Sequence, residues 1–310
     1  MMPATEHLLV APVLLPLGTA ALMLMLGEGR RRTKAAINTA STALGLALAI
    51  WLLMRVQAGG PTVFGVYLPG NWPVPFGIVL VADPLAAFMA VLAGAVGLAA
   101  LLYALARWQH AGVYFHVLFQ LQLMGLYGAF LTGDLFNLFV FFEVLLIASY
   151  VLLVHGQGRE RFRMGVHYVV LNLVASGLFL IGLSLVYAAT GTLNMADVAQ
   201  RVAQLQGDQR VFAQAAALVL LVVFGLKAAM LPLYFWLPGT YAAASAPVAA
   251  LFAIMTKVGV YSIIRVHWGI FGPEAGEAAL AAQGWLLPMA LTTSAQPVSR
   301  IRATVLARTV

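Results

Sequence analysis

Apolar runs about twenty residues long recur along the whole chain, and no other feature limits its fold so strongly. Crossing roughly 30 Å of hydrocarbon takes about 20 apolar residues in a helix. The runs predict an all-α, polytopic transmembrane helix bundle of about nine spans. They lie near residues 7–27, 35–55, 84–106, 112–132, 135–155, 166–188, 211–236 and 247–267, with a ninth beginning near Gly284. Between the second and third lies a Gly/Pro-rich stretch, Gly59 to Pro75, that reads as an irregular loop. Between the sixth and seventh, Asn194 to Leu205 alternates Met195, Val198, Val202 and Leu205 with polar residues, the pattern of a short amphipathic helix at the interface.

Composition agrees. Only 9% of the 310 residues are charged, against roughly 25% in a soluble domain, which is too few to cover a water-facing surface. Without cysteine, disulfides and thiolate metal sites are excluded. A pI near 9.9 would suggest nucleic acid in a soluble chain. Here the basic residues sit in short loops, where they report topology instead, and no nucleic-acid partner is expected. The first run is too long for a signal h-region and its basic cluster follows it, so no cleavable signal is expected.

Loop charge sets the expected orientation. Arg30, Arg31, Arg32 and Lys34 follow the first span, and Arg107 the third. Arg159, Arg161 and Arg163 follow the fifth, and Arg300, Arg302 and Arg308 the ninth. The opposite loops hold only Arg55, Arg201, Arg210 and Arg265, with four acidic residues beside them. The positive-inside rule then places the N-terminus outside a multi-pass cell membrane, bacterial or archaeal, with the basic loops in the cytoplasm.

Three ionisable residues fall inside spans: Glu143, Lys227 and Lys257. Each sits roughly 12–15 Å from the nearer span end at 1.5 Å per residue, too deep for a lysine to snorkel readily. A mid-bilayer charge costs roughly 2.5–3.5 kcal/mol on insertion scales. One reading is a structural ion pair or lysines held neutral. The other is a proton relay, in which a neighbouring carboxylate favours the ammonium while desolvation opposes it. Asp134 sits at the junction of spans four and five, as a helix N-cap or a further carboxylate. Its nine-residue separation from Glu143 turns the two to opposite faces. His116 and His167 lie within spans four and six, as satisfied buried histidines or water-linked relay groups. His110, His155 and His267 sit at span ends, where polar tips are ordinary.

In Leu226-Lys227-Ala228-Ala229-Met230-Leu231-Pro232, a proline follows the lysine by five residues. Pro232 lacks a backbone donor and clashes with the preceding turn, so the seventh helix should break there. Backbone freed at that depth must face protein or a water-filled cavity, and broken helices beside a buried charge recur in transporters.

The run Gly133-Asp134-Leu135-Phe136-Asn137-Leu138-Phe139-Val140-Phe141-Phe142-Glu143 resembles the fifth-helix signature of antiporter-like subunits. These are shared by respiratory complex I, membrane-bound hydrogenases and Mrp-type multisubunit cation/proton antiporters. Lys227 to Pro238 and Thr256-Lys257-Val258-Gly259-Val260-Tyr261 resemble the seventh and eighth helices of the same family. Ile147-Ala148-Ser149-Tyr150 after the glutamate, and the absence of histidines around Trp236-Leu237-Pro238, bring the chain nearest to the D-type subunit of the Mrp antiporters.

The resemblance implies that Glu143 modulates Lys227 and that Lys257 is the eighth-helix relay residue. It also implies partner subunits in a hetero-oligomeric membrane complex, Na+ and H+ as transported ions, and no cofactor. Residues 1–290 are expected to form the antiporter-like transmembrane domain. Residues 291–310 no longer resemble the family, and a frameshift or premature end is the expected cause. The alternatives are a proton-translocating subunit of an NADH–quinone oxidoreductase or hydrogenase, and a truncated, inactive remnant.

Overall fold

A computed structural model describes residues 7–27, 29–59, 65–107, 112, 114–155 and 158–294. It is an all-α fold carrying one small hairpin. The helices are α1 (Ala11–Met25), α2 (Arg31–Ala58), α3 (Pro84–Arg107), α4 (Phe115–Leu131), α5 (Leu135–Val154), α6 (Arg159–Thr190), α7 (Met195–Val202), α8 (Gly207–Lys227), α9 (Leu237–Ala243), α10 (Ala246–Ile263) and α11 (Glu277–Ser294). Six of them, α2, α3, α5, α6, α8 and α10, are long and apolar enough to cross a membrane. The apolar α1 and α4 are shorter, at 15 and 17 residues. The ninth apolar run lies in α11, which starts at Glu277, seven residues before the expected Gly284. His110 and the tail beyond Ser294 lie outside the described residues.

Local chemistry sets several boundaries. Asp83 Oδ1 accepts from the Ala86 amide at 2.7 Å and starts α3. Asp134 does the same for α5, accepting from the Asn137 amide at 2.8 Å. Each satisfies a donor that the first helical turn would otherwise leave unpaired. The amphipathic segment expected at 194–205 forms α7, with Val198 and Val202 buried and an exposed Arg201–Asp197 pair at 2.9 Å.

The stretch from Gly59 to Pro75 differs from its reading as an irregular loop. Gly65–Tyr67 (β1) pairs antiparallel with Leu80–Ala82 (β2). Gly/Pro content marks turns, but it does not report the cross-chain ladder that pins three residues of such a loop.

The chain divides into two compact units. The first holds residues 1–158, 193–195 and 245–258. In it α4 packs against both α1 and α5, and α2 against α3. Glycines on α4 admit α5 closely: a Cβ on Gly125 would lie 2.6 Å from Leu145 Cβ. Small residues at such seams allow backbones to approach where lipid supplies no hydrophobic drive between helices.

A buried polar seam also ties α1, α2 and α4 together. Thr19 Oγ1 donates to Ser41 Oγ at 2.8 Å, and Ser41 Oγ to Gln120 Oε1 at 3.3 Å. Gln120 Nε2 donates to Asn38 Oδ1 at 2.6 Å, and Asn38 Nδ2 lies 2.9 Å from His116 Nδ1.

The second unit holds residues 159–192, 196–244 and 259–310. Its core is α6 against α8, with α11 on α8 and α9 on α6. Tyr168 of α6 stacks on Trp236 with centroids 5.3 Å apart, and Phe179 meets Phe224 edge-on at 5.1 Å.

Candidate functional site

Lys227 is the last residue of α8 and is buried at 4% exposure. Its place at a helix C-terminus is favourable for a cation, because the helix dipole puts partial negative charge there. Lys227 Nζ donates to Asn172 Oδ1 of α6 at 3.2 Å. Asn172 is itself 1% exposed, and its Nδ2 donates to the Tyr168 carbonyl at 2.9 Å. That second bond fixes which way the amide faces, so the oxygen is the atom offered to the ammonium. Asn172 escapes a search of the spans for charge, because amides carry none. The available signal was a side-chain amide deep in an otherwise apolar run.

The helix break begins directly after the lysine rather than at Pro232. Ala229 adopts a left-handed φ of 55°, a conformation that is strained for a residue bearing Cβ. A short 3-10 turn, Leu233–Trp236, follows Pro232 and leads into α9.

The backbone groups freed by the break are met individually. Trp236 Nε1 donates to the Leu226 carbonyl at 2.9 Å, and the Met230 amide to the Gly225 carbonyl at 2.9 Å. The Leu231 amide donates to Thr293 Oγ1 of α11 at 2.9 Å. Gly259 of α10 lies against the break, where a Cβ would collide with the Ala228 backbone nitrogen. Buried backbone groups left unpaired would each cost about 1–3 kcal/mol, so these bonds hold the lysine's end of α8 in place.

Glu143, on α5 in the first unit, is half-buried. Tyr150 lies seven residues along, on the same face of α5. Asp134 caps α5 and is buried. Burial holds its carboxyl above the usual range, offset by hydrogen bonds from the Asn137 and Phe136 amides.

Two expectations are corrected. Lys257 is exposed on this chain rather than buried. It lies with Ala253, Val260 and Ile264 on the outward stripe of α10 and its π-turn, while Ile254, Val258 and Tyr261 face inward. Depth along a span says how far a residue is from water, but not which side of the helix it occupies. His167 is likewise exposed, between exposed Val166 and Val170 on α6, and is not a satisfied buried histidine. His267 does lie at the end of its span, and it is 2% exposed in the second unit's core, with Nε2 2.9 Å from the Ala217 carbonyl. The π-turn Ile264–Trp268 that follows α10 carries it inward. His116 is buried as expected, held by Asn38. Among the described residues no cluster of metal-ligating side chains occurs.

The chain is thus an all-α bundle of apolar helices with a buried lysine at the end of a broken one. The family model described as "NADH:quinone oxidoreductase/Mrp antiporter, TM" matches residues 132–293, and the chain belongs to that family.

A protein of Rhizobium meliloti, named as the D-type subunit of a probable K(+)/H(+) antiporter, is 52% identical over 293 residues, covering 94% of this chain and 54% of the relative. The D-type subunit of the Na(+)/H(+) antiporter of Alkalihalophilus pseudofirmus is 41% identical over 87% of this chain and 54% of its own length. Among solved structures, a chain of the Mrp complex from Dietzia is similar with a TM-score of 0.80 and 30% identity, over 87% of this chain and 50% of that one. This chain therefore spans about half the length of the curated relatives it matches.

Proposed function

We propose that this chain is a membrane subunit of a multisubunit antiporter that exchanges a monovalent cation for protons, acting as a transporter subunit rather than an enzyme. Sodium is the ion first expected from the sequence. The name of the Rhizobium relative makes potassium the ion to test beside it.

The observation that carries this reading is Lys227. It is a buried ammonium at the end of a broken helix, with a neutral acceptor, Asn172, fixed against it. A neutral partner supports the charge without trapping it, since an amide oxygen accepts a hydrogen bond and adds no full negative charge. Glu143 supplies the modulating carboxylate, and Lys257 the next relay position. The exposed apolar stripe around Lys257 fits cover by another part of the complex. In this reading other subunits are partners, the N-terminus lies outside, residues 1–290 form the antiporter-like domain and 291–310 a divergent tail.

The test uses an intact homologous complex in everted vesicles, with a pH-sensitive dye reporting collapse of a proton gradient when Na+ or K+ is added. Lys227→Ala abolishes the response while the complex still assembles, because the change removes a titrating group and an insertion cost together. Normal antiport by an assembled mutant refutes the relay.

A second reading, a proton-translocating subunit of an NADH–quinone oxidoreductase, is favoured by the breadth of the family description itself. It predicts proton movement that needs NADH and ignores added Na+ or K+.

A further inference from the structure

The second unit holds a cavity of about 440 Å³ behind the helix break. Leu218, Leu221 and Val222 of α8 form one wall, and Trp285, Pro288 and Met289 of α11 the other. Its floor is the break itself, Leu231, Pro232 and Leu233. Two prolines account for the gap. Pro232 cannot continue α8, and Pro288 interrupts the bonding inside α11. The two backbones therefore diverge where regular helices would pack.

The lining selects its occupant. Apart from the Trp285 indole at the exposed rim, its one polar side chain is Thr292, whose hydroxyl already donates to the Pro288 carbonyl at 2.7 Å. A buried water needs about two to four polar partners, and a charged ligand would lose its hydration without replacement. Left empty, the walls would forfeit their dispersion contacts. The fitting ligand is uncharged and apolar.

Position and size say which one. The rim residues Leu218, Val222 and Trp285 are 37%, 44% and 62% exposed. Two of them lie on α8, a helix long and apolar enough to cross a membrane, so the mouth opens sideways to hydrocarbon. A helix about 10–12 Å across fills comparable space with a single turn of about 5.4 Å. A spanning helix is therefore too wide to enter, whereas one flexible hydrocarbon chain fits.

We propose that this cavity holds one acyl chain of a membrane phospholipid, entering between the α8 rim and Trp285 and ending against the break. The chain packs on Leu233 and Met289, which in turn lie over Gly225, two residues before Lys227. A Cβ on Gly225 would be 3.0 Å from Met289 Cε and 3.4 Å from Leu233 Cδ1. Lipid hydrocarbon thus backs the end of α8 that carries the lysine and keeps water from that side of the break. The site stands whichever ion the subunit moves.

The full chain is placed in phosphatidylcholine nanodiscs containing a trace of phosphatidylcholine with a photoactivatable diazirine midway along one acyl chain. After illumination, labelled peptides are mapped by mass spectrometry. Adducts on Leu231–Leu233 and Met289 are expected to exceed several-fold those on Leu173 and Val174 of α6. These α6 residues are 55% and 57% exposed but line no part of the cavity, so they report ordinary contact with the bilayer. Val222→Trp fills the mouth and should cut the cavity adducts several-fold while leaving the α6 adducts unchanged. If that variant does not fold, Leu218→Phe is read in the same way. The matching positions of an intact homologous complex should label as strongly. Cavity adducts no more frequent than those on α6, or unchanged by a folded filling variant, overturn the site. Loss of cavity labelling in the homologous complex with α6 labelling retained shows that protein covers the groove, and overturns its assignment to lipid.

Discussion

At the scale of the residue, the pairing of Lys227 with Asn172 holds a charge in an apolar bundle without a full counter-charge on that partner. The ammonium gains a hydrogen bond at 3.2 Å and a favourable helix end, while the amide, tethered to the Tyr168 carbonyl, cannot turn its donor side inward. Asn172→Leu leaves the lysine without that acceptor. A hydrogen bond to a charged group is worth about 1.5–3 kcal/mol. Cation-driven proton movement in vesicles of a homologous complex should therefore fall by about tenfold or more, with the protein level unchanged. Transport at the parent rate would make Asn172 a packing residue only. Asp134, by contrast, reads fully as a local device. Its carboxylate caps α5 through the Asn137 amide, and a helix N-cap needs no further function.

At the scale of the element, the end of α8 is where a regular helix is exchanged for a fixed irregularity. Ala229 at a positive φ, the Trp236 bond to the Leu226 carbonyl and the Thr293 bond to the Leu231 amide together hold one conformation. α10 can lie against that conformation only because residue 259 has no side chain. Gly259→Val places branched carbon against the Ala228 backbone, which cannot rotate away as a side chain could. The expected loss is about 1–3 kcal/mol, typical of overpacking. It is visible as a lower unfolding temperature in detergent and, because the collision is at the lysine, as reduced antiport. Gly284→Val is the control: a Cβ there meets nothing within 4 Å, so it should change neither measurement. Equal behaviour of the two variants would disprove the argument.

At the scale of the whole molecule, the two units are consolidated by different means. The second relies on aromatic packing around Trp236 and Phe224 and on the bonds that staple the helix break. The first relies on the seam from Thr19 to His116, in which Gln120 is completely buried and meets three α2 partners, Asn38, Ser41 and Thr42. Gln120→Leu leaves Asn38 and Ser41 short of partners in a place without water. Unsatisfied buried groups cost about 1–3 kcal/mol, so the unfolding temperature of the detergent-solubilised chain should drop by several degrees. Gln120→Glu keeps an acceptor for Ser41 and should lose less when protonated at low pH. No change in Gln120→Leu would mean that the seam contributes nothing to the first unit.

The membrane class, the approximate spans, the amphipathic α7, the cap at Asp134 and the interruption of the seventh span were all legible in the residues alone. These depend on quantities local to the chain: run length, helical period, a capping side chain, a proline that cannot continue a helix. The family was legible for a similar reason, since its motifs are short and contiguous around Glu143, Lys227 and Lys257. What could not be read was which way a residue faces and what meets it across a helix pair. Lys257 and His167 lie within spans yet turn outward, while His267 was assigned to a span end and turns inward through a π-turn. Asn172 becomes the acceptor of Lys227, and Lys34 a buried charge, only because helices far apart in sequence pack side by side. Depth along a span follows from counting residues, whereas azimuth and partners are set by packing between helices, a non-local property that only the tertiary structure decides.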